Sequence, residues 1–257
     1  MSIVKYKSLL LIWRDTETSK YFHVGTLTYN GKDYIFEYTY KSNGTRKIKD
    51  AIEHGYRLLP VFQDLSKTYK STKLFSTFYR RIPSSSRVDY KKILSDLNLS
   101  NDADQMDILR KTRGMITGDP YFFMEPLKLN ENTGQLTAGF YISGMRYSKL
   151  PSDWNKLTKK GDKLIAIHNP VSYDLNAVEL WTEDDLFLGY VPAIYSEAIQ
   201  SLLKRNIHLT FLVNEKRPQF DAGWWVYVNF KASLTIKTSD DLSDEQFNLN
   251  DLIMLVA

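Results

Sequence analysis

Between Lys160 and Pro192 the chain sets two apolar runs of strand length around a polar loop, and a third run ends in Gly189-Tyr190-Val191-Pro192. Short apolar runs divided by polar breaks are a strand signal. The loop carries Tyr173-Asp174 and Asn176, a flat ring beside a carboxylate and an amide. Nowhere else does the sequence suggest a specific binding chemistry. The helix-periodic run Ala193–Lys204 follows at once, with Ile194, Ala198, Ile199, Leu202 and Leu203 on one side.

The rest of the chain bounds what this stretch can belong to. With 257 residues, 43% hydrophobic and 25% charged, there is material for one large core or two moderate ones, and disorder throughout is excluded. Cysteine is absent, so neither disulfides nor thiolate metal sites can form, and a reducing cytoplasm is the simplest home. The early apolar run Leu9–Trp13 is too short for a signal peptide and runs into Arg14 and Asp15; no run approaches a membrane span. No membrane partner is expected.

Upstream, residues 3–13 begin with alternation and turn fully apolar, a strand that becomes buried. Phe22–Tyr29 and Tyr34–Tyr40 read as strands joined at Asn30-Gly31, residues that tolerate the positive φ of a tight hairpin turn. Tyr34, Phe36, Tyr38 and Tyr40 share one face, either a core face or a base-stacking platform. Helices are expected over Thr45–Glu53, Ser71–Arg81, Val88–Leu97 and Asp104–Arg113, and a short strand over Tyr121–Met124. Leu58–Leu65 reads as extended and buried. Polar residues 128–135 read as a linker, dividing the chain into 1–127 and 136–257.

In the second part, strands are expected over Leu136–Ile142, His208–Val213, Trp224–Phe230 and Ala232–Lys237, and a helix over Pro151–Lys160 with Trp154 and Leu157 inward. The tail starts acidic (Asp240, Asp241, Asp244, Glu245) and ends apolar (Leu252, Ile253, Leu255, Val256), so its end should dock on something. Charge is uneven. Residues 1–130 hold 22 Lys and Arg against 14 Asp and Glu, a net +8, and residues 131–257 hold 12 against 16, a net −4. A basic half suits a nucleic acid or an acidic protein, or merely solvates a surface.

Catalytic signatures are missing. The four histidines are scattered, no phosphate loop or dinucleotide fingerprint occurs, and there is no Gly-x-Ser-x-Gly elbow. Asp184-Asp185 marks a turn between strands. The sequence reads as a protein without catalysis, cofactor or metal.

Four elements in order, Gly144-Met145-Arg146-Tyr147, Gly161-Asp162-Lys163-Leu164, Tyr173-Asp174-Leu175-Asn176-Ala177-Val178 and Gly189-Tyr190-Val191-Pro192 before a helix, resemble the HIRAN family. The resemblance covers about residues 136–237, its later strands more loosely. It implies a six-stranded barrel of the OB/SH3-like kind that captures the 3′ end of single-stranded DNA. An Arg-Tyr pair and a Tyr-Asp pair would form the pocket, here Arg146, Tyr147, Tyr173 and Asp174, with Tyr190 where a histidine is found. Val171-Ser172 replaces the usual Asn-Pro, and Ala193 stands in place of a phosphate-binding lysine. Six cations between residues 144 and 163 (Arg146, Lys149, Lys156, Lys159, Lys160, Lys163) would supply a basic lip. The other reading of Gly161-Asp162, Asp174-Asn176 and Gly189 is that they fix turns, with Asp and Asn accepting nearby backbone N–H groups.

Val24–Leu27 leading into Tyr34–Tyr38, Phe78–Tyr90 and Asp107–Gly114 make residues 1–127 similar to the N-terminal subdomain of HipA-type kinases. The kinase core is missing, so this implies no kinase activity; a module of this kind can restrain a separate kinase. Arg80, Arg81 and Arg87 frame a Pro-Ser-rich turn before a helix, a candidate phosphate or partner contact or else an ordinary capped helix with internal ion pairs.

The expectation is an α+β protein, an N-terminal antiparallel sheet with helices followed by a small β-barrel with one or two helices. Two functions stay open. One is a non-catalytic protein of a bacterium or phage that binds DNA 3′ ends. The other is a regulatory module contacting a protein partner, such as a separate kinase or a host defence enzyme.

Overall fold

The computed structural model describes residues 6–42, 44–234 and 252–256. It divides into two compact units between Pro126 and Leu127. Both mix strands and helices, so the fold is α+β. Among the described residues no helix is long and apolar enough to cross a membrane.

The first unit is built on β1 (Lys7–Arg14), β2 (Tyr21–Tyr29), β3 (Tyr34–Tyr38), β4 (Tyr69–Ser71) and β5 (Tyr121–Met124). They form an antiparallel sheet in the order β4-β3-β2-β1-β5. β1 is buried on both faces from Leu9 to Trp13, as its apolar run requires. The aromatic row of β3 resolves as core: Tyr34, Phe36 and Tyr38 are buried, and Phe36 stacks on Phe62 at 4.4 Å between ring centroids. Tyr40 departs from that row because the chain leaves the sheet in a 3-10 turn over Thr39–Lys41, which exposes it. Helix α1 (Ile48–Glu53) ends before Gly55, whose φ is +85°. The expected helix over Ser71–Arg81 contracts to one turn, α2 (Ser76–Tyr79), since Ser71 pairs with Tyr34 as the end of β4. Helices α3 (Tyr90–Asp96) and α4 (Gln105–Thr112) follow.

The second unit contains β6 (Leu127–Asn130), β7 (Gln135–Tyr141), β8 (Lys163–His168), β9 (Val178–Thr182), β10 (Phe187–Tyr190), β11 (Leu209–Lys216), β12 (Val226–Ser233) and β13 (Ile253–Val256). Their order is β10-β9-β8-β11-β12-β7-β6-β13, antiparallel except for β13 against β6. The six strands from β10 to β7 curl round until their ends meet. Ser143, just past β7, exchanges two backbone hydrogen bonds of 2.8 Å with Tyr190 of β10. Helix α6 (Ala193–Lys204) packs into this barrel: Tyr195, Ile199 and Leu202 are fully buried, and Tyr195 lies 5.6 Å from Phe140.

Residues 128–135 are not a linker. Leu127–Asn130 is a strand whose Leu127 and Leu129 are fully buried, and the Asn-Glu-Asn-Thr-Gly run is the tip of the β6–β7 hairpin. Asn130 Oδ1 accepts from the N–H groups of Asn132 and Thr133 there, so the polarity that resembles a linker is turn chemistry. The helix over Pro151–Lys160 is likewise a single turn, α5 (Trp154–Leu157), with Trp154 buried and Leu157 exposed. The apolar tail docks on β6 in parallel, burying Leu252. The strand expected over Ala232–Lys237 is the end of β12 as far as Ser233; residues 235–237 and the acidic part of the tail lie outside the described residues.

Candidate nucleic-acid interface

The closure of the barrel creates the site. Gly189 has φ +149°, and a Cβ there would stand 2.4 Å from the Ser143 carbonyl oxygen. Only a residue without a side chain lets β10 approach that closely. Beside it Gly144, at φ +76°, starts a 3-10 turn over Met145–Tyr147. Met145 is buried as its anchor, and Ser148 donates its hydroxyl to the Leu188 carbonyl at 3.0 Å. The turn is pinned at both ends, so Arg146 and Tyr147 between the pins project outward; Tyr147 is 85% exposed.

The Tyr190 ring lies over Gly144, where a Cβ would be 3.2 Å from its Cδ2. Burial pushes the Tyr190 phenol up, and the Tyr173 phenol and Glu179 carboxylate push it further. The Tyr173 phenol is thus a near neighbour of Tyr190. Tyr173 stands on the β8–β9 loop and is 65% exposed. The structure thus gathers the turn bearing the exposed Arg146 and Tyr147 with Tyr173 and Tyr190 around the closure.

Asp174 turns the other way. It is only 9% exposed; Oδ1 accepts from Asn176 N–H at 3.1 Å and Oδ2 from the Ser196 hydroxyl of α6 at 3.0 Å. Its backbone also pairs with Val171. The carboxylate fastens the loop to α6, and the turn-fixing reading of Asp174-Asn176 is realised in its geometry. The Asn169 amide, two positions before Val171, is donated to Glu179 at 2.8 Å.

Two aromatic neighbours escape a reading of the sequence. A bulge in β10 sets Phe187 opposite Trp181 and Tyr190 opposite Glu179, so Phe187 and Tyr190, three apart, share the outer face. Phe187 lies 5.1 Å from Trp181 and 5.2 Å from Tyr190. Period-two alternation forbids residues three apart to share a face, so only the alternation of Glu179 and Trp181 within β9 hinted at this surface. Ser196, which holds Asp174, left no trace in the pattern. The six cations between 144 and 163 are all exposed.

In the first unit the arginines are already engaged. The Arg81 side chain is 2% exposed, donates to Asp119 at 2.6 Å and to the Gly114 carbonyl at 3.0 Å, and covers the Tyr121 ring. That guanidinium is a buried structural group and not an anion site. Arg87 makes a two-pronged exposed pair with Asp89, both contacts 2.9 Å. Arg80 is exposed. The three do not converge in a built site.

An α+β chain with a small barrel-like unit and an exposed aromatic-arginine cluster at the barrel's closure is what the fold and site define. No family model matches the chain, and no curated protein matches it. Two solved structures are similar to part of it. A protein from Lactobacillus plantarum aligns with 38% of this chain and 97% of its own at 17% identity and a TM-score of 0.34. The HIRAN domain of human HLTF aligns with 49% of this chain and 98% of its own at 12% identity and a TM-score of 0.32. Neither is described as a HipA-type protein.

Proposed function

We propose that the chain is a non-catalytic protein that binds single-stranded DNA at its 3′ end through the cluster at the barrel closure. The observation that carries this is the exposed Tyr173 ring and the Tyr190 ring over Gly144, beside the pinned turn that projects Arg146 and Tyr147. Exposed rings stack on any base, worth roughly 1–3 kcal/mol each. An exposed guanidinium pairs with a phosphate through two parallel N–H donors. Asp174 supplies end selectivity. Its negative charge, held at the foot of the Tyr173 loop by Asn176 N–H and the Ser196 hydroxyl, repels a terminal phosphate more than a terminal hydroxyl. The exposed lysines at 149, 156, 159, 160 and 163 favour approach of the backbone.

The test is fluorescence anisotropy with labelled single strands ending in a 3′ hydroxyl or a 3′ phosphate. The hydroxyl end should bind tighter by roughly tenfold, about 1.4 kcal/mol. Tyr173→Ala should weaken both ends, and Asp174→Asn should erase the preference. Asn is the informative replacement there: it keeps a partner for Asn176 N–H and Ser196, whereas Asp174→Ala would strand buried donors. Equal affinity for both ends in the wild type, or none for either, overturns the proposal.

A further inference from the structure

Resting on that reading, we infer that the stacking surface continues past Tyr190 over Phe187 and Trp181, so that the bases behind a bound 3′ end lie on the outer face of β9 and β10. The barrel register carries the inference. Across β8, β9 and β10, Ile165, Trp181 and Phe187 form one row, and Ile167, Glu179 and Tyr190 form the next. Tyr190, Phe187 and Trp181 therefore make a series of rings leading away from the closure, joined by ring contacts of 5.2 and 5.1 Å, with Tyr173 beside its near end. Ile165 and Ile167 are exposed along its flank.

The far end of the series is held as deliberately as the near end. Trp181 Nε1 donates to Glu179 Oε2 at 2.9 Å, and Asn169 holds Oε1 of the same carboxylate at 2.8 Å. The indole has its polar atom satisfied within the protein, leaving its faces as what it can offer a ligand. Beyond Tyr190 the row offers ring faces, so the track should tolerate any base.

Charge marks the far end of the track. Lys159, Lys160 and Lys163 are exposed where β8 enters the face, and the β9–β10 turn carries exposed Glu183, Asp184 and Asp185. Leu164 pairs with Thr182, so these lysines and the acidic turn stand at the same end of the face, and the acidic turn ends the track beyond Trp181.

The test measures affinity for 3′-hydroxyl oligothymidylates of increasing length. For the wild type, each added nucleotide up to about four should raise affinity by roughly 5- to 150-fold, the range for one stacked base, and longer strands should add little. Trp181→Leu and Phe187→Leu, which keep apolar side chains and so spare the fold, should remove the gain beyond the first nucleotides yet keep the preference for a free 3′ hydroxyl. Glu183→Gln should strengthen only the longer strands. A length gain and end preference both unchanged in Trp181→Leu would overturn this inference while leaving the parent proposal standing. Absence of binding at every length would overturn both. Should Trp181→Leu instead change only the mass of the protein by light scattering, the face joins copies of the chain and the inference falls.

Discussion

Asp174 and Ser196 show how a single contact can divide one motif into two tasks. Adjacent residues of the Tyr173-Asp174 pair point apart: the ring enters the exposed cluster, and the carboxylate ties its loop to α6. The backbone bridge between Val171 and Asp174 fixes that opposition, so stacking and anchoring cannot be exchanged by a side-chain rotation. In the first unit His23 is a buried residue with a different consequence. It is fully enclosed, its Nδ1 faces the Lys47 ammonium at 3.3 Å, and its Nε2 meets the Thr26 hydroxyl at 3.1 Å. Burial first, and Lys47 second, hold the imidazole well below its ordinary range. An unfolded chain therefore takes up a proton at His23 below about pH 6.5 that the folded chain refuses. Stability should be full above that pH and fall as the pH is lowered through it, by up to about 1.4 kcal/mol per pH unit. Urea midpoints between pH 7 and pH 5 check this, and His23→Gln should flatten the decline; a wild-type midpoint indifferent to pH in that window would refute it.

At the scale of elements, α4 is the best specified of the first unit. Asp104 caps it by accepting from Asp107 N–H at 3.0 Å, and Asp107 reaches back to Asp104 N–H at 3.2 Å. Lys7 of β1 grips both carboxylates, at 2.9 and 2.7 Å, so the cap also fastens the helix to the sheet. Asp104→Ala should cost about 1–2 kcal/mol, read as a lower urea midpoint, with Asp104→Asn recovering most of it because the amide oxygen can still cap. Such local signals are why α4, α6 and the β2–β3 hairpin were legible from residues alone: capping residues, a 3.6 period and Asn-Gly each act within a few positions. Ser71–Arg81 and Pro151–Lys160 were read too long for the same reason. Phe75–Tyr79 and Trp154–Leu157 have helical spacing, but Ser71 is claimed by β3 and Thr158 is drawn extended before β8. Pairing with a distant strand overrides local preference. The outer aromatic face was hidden by the β10 bulge, which is a property of two strands and cannot be found in either one. Tyr173 could be singled out in advance because it stands in a polar loop between strands, whereas Arg146, Tyr147 and Tyr190 were marked by the resemblance their motifs carry. Arg81 could not be dismissed, since its partner Asp119 lies 38 positions away.

For the whole molecule, the site and most of the positive charge fall in different units. Residues 1–126 contain 21 Lys and Arg against 14 Asp and Glu, a net +7, and residues 127–257 contain 13 against 16, a net −3. Each unit has its own buried core, and the second also keeps the β13 tail against its own β6. The second unit, expressed as residues 127–257, should therefore fold by itself and retain the stacking cluster. What it loses is the diffuse attraction of a basic neighbour. Binding that depends on phosphate neutralisation weakens linearly with the logarithm of salt, with a slope of roughly 0.7 per contact for single strands. Base stacking has no such dependence. The full chain should accordingly bind long single strands more tightly than residues 127–257 at low salt, and the two should converge as salt rises. Their preference for a 3′ hydroxyl over a 3′ phosphate should agree at every salt concentration. Anisotropy titrations of both proteins across a salt series measure the two quantities together. Equal salt slopes would show that the basic unit does not meet the nucleic acid, leaving its cations to solvate a surface or to face an acidic protein. A preference lost on removing residues 1–126, with the barrel still folded by circular dichroism, would show that the second unit does not hold the whole site.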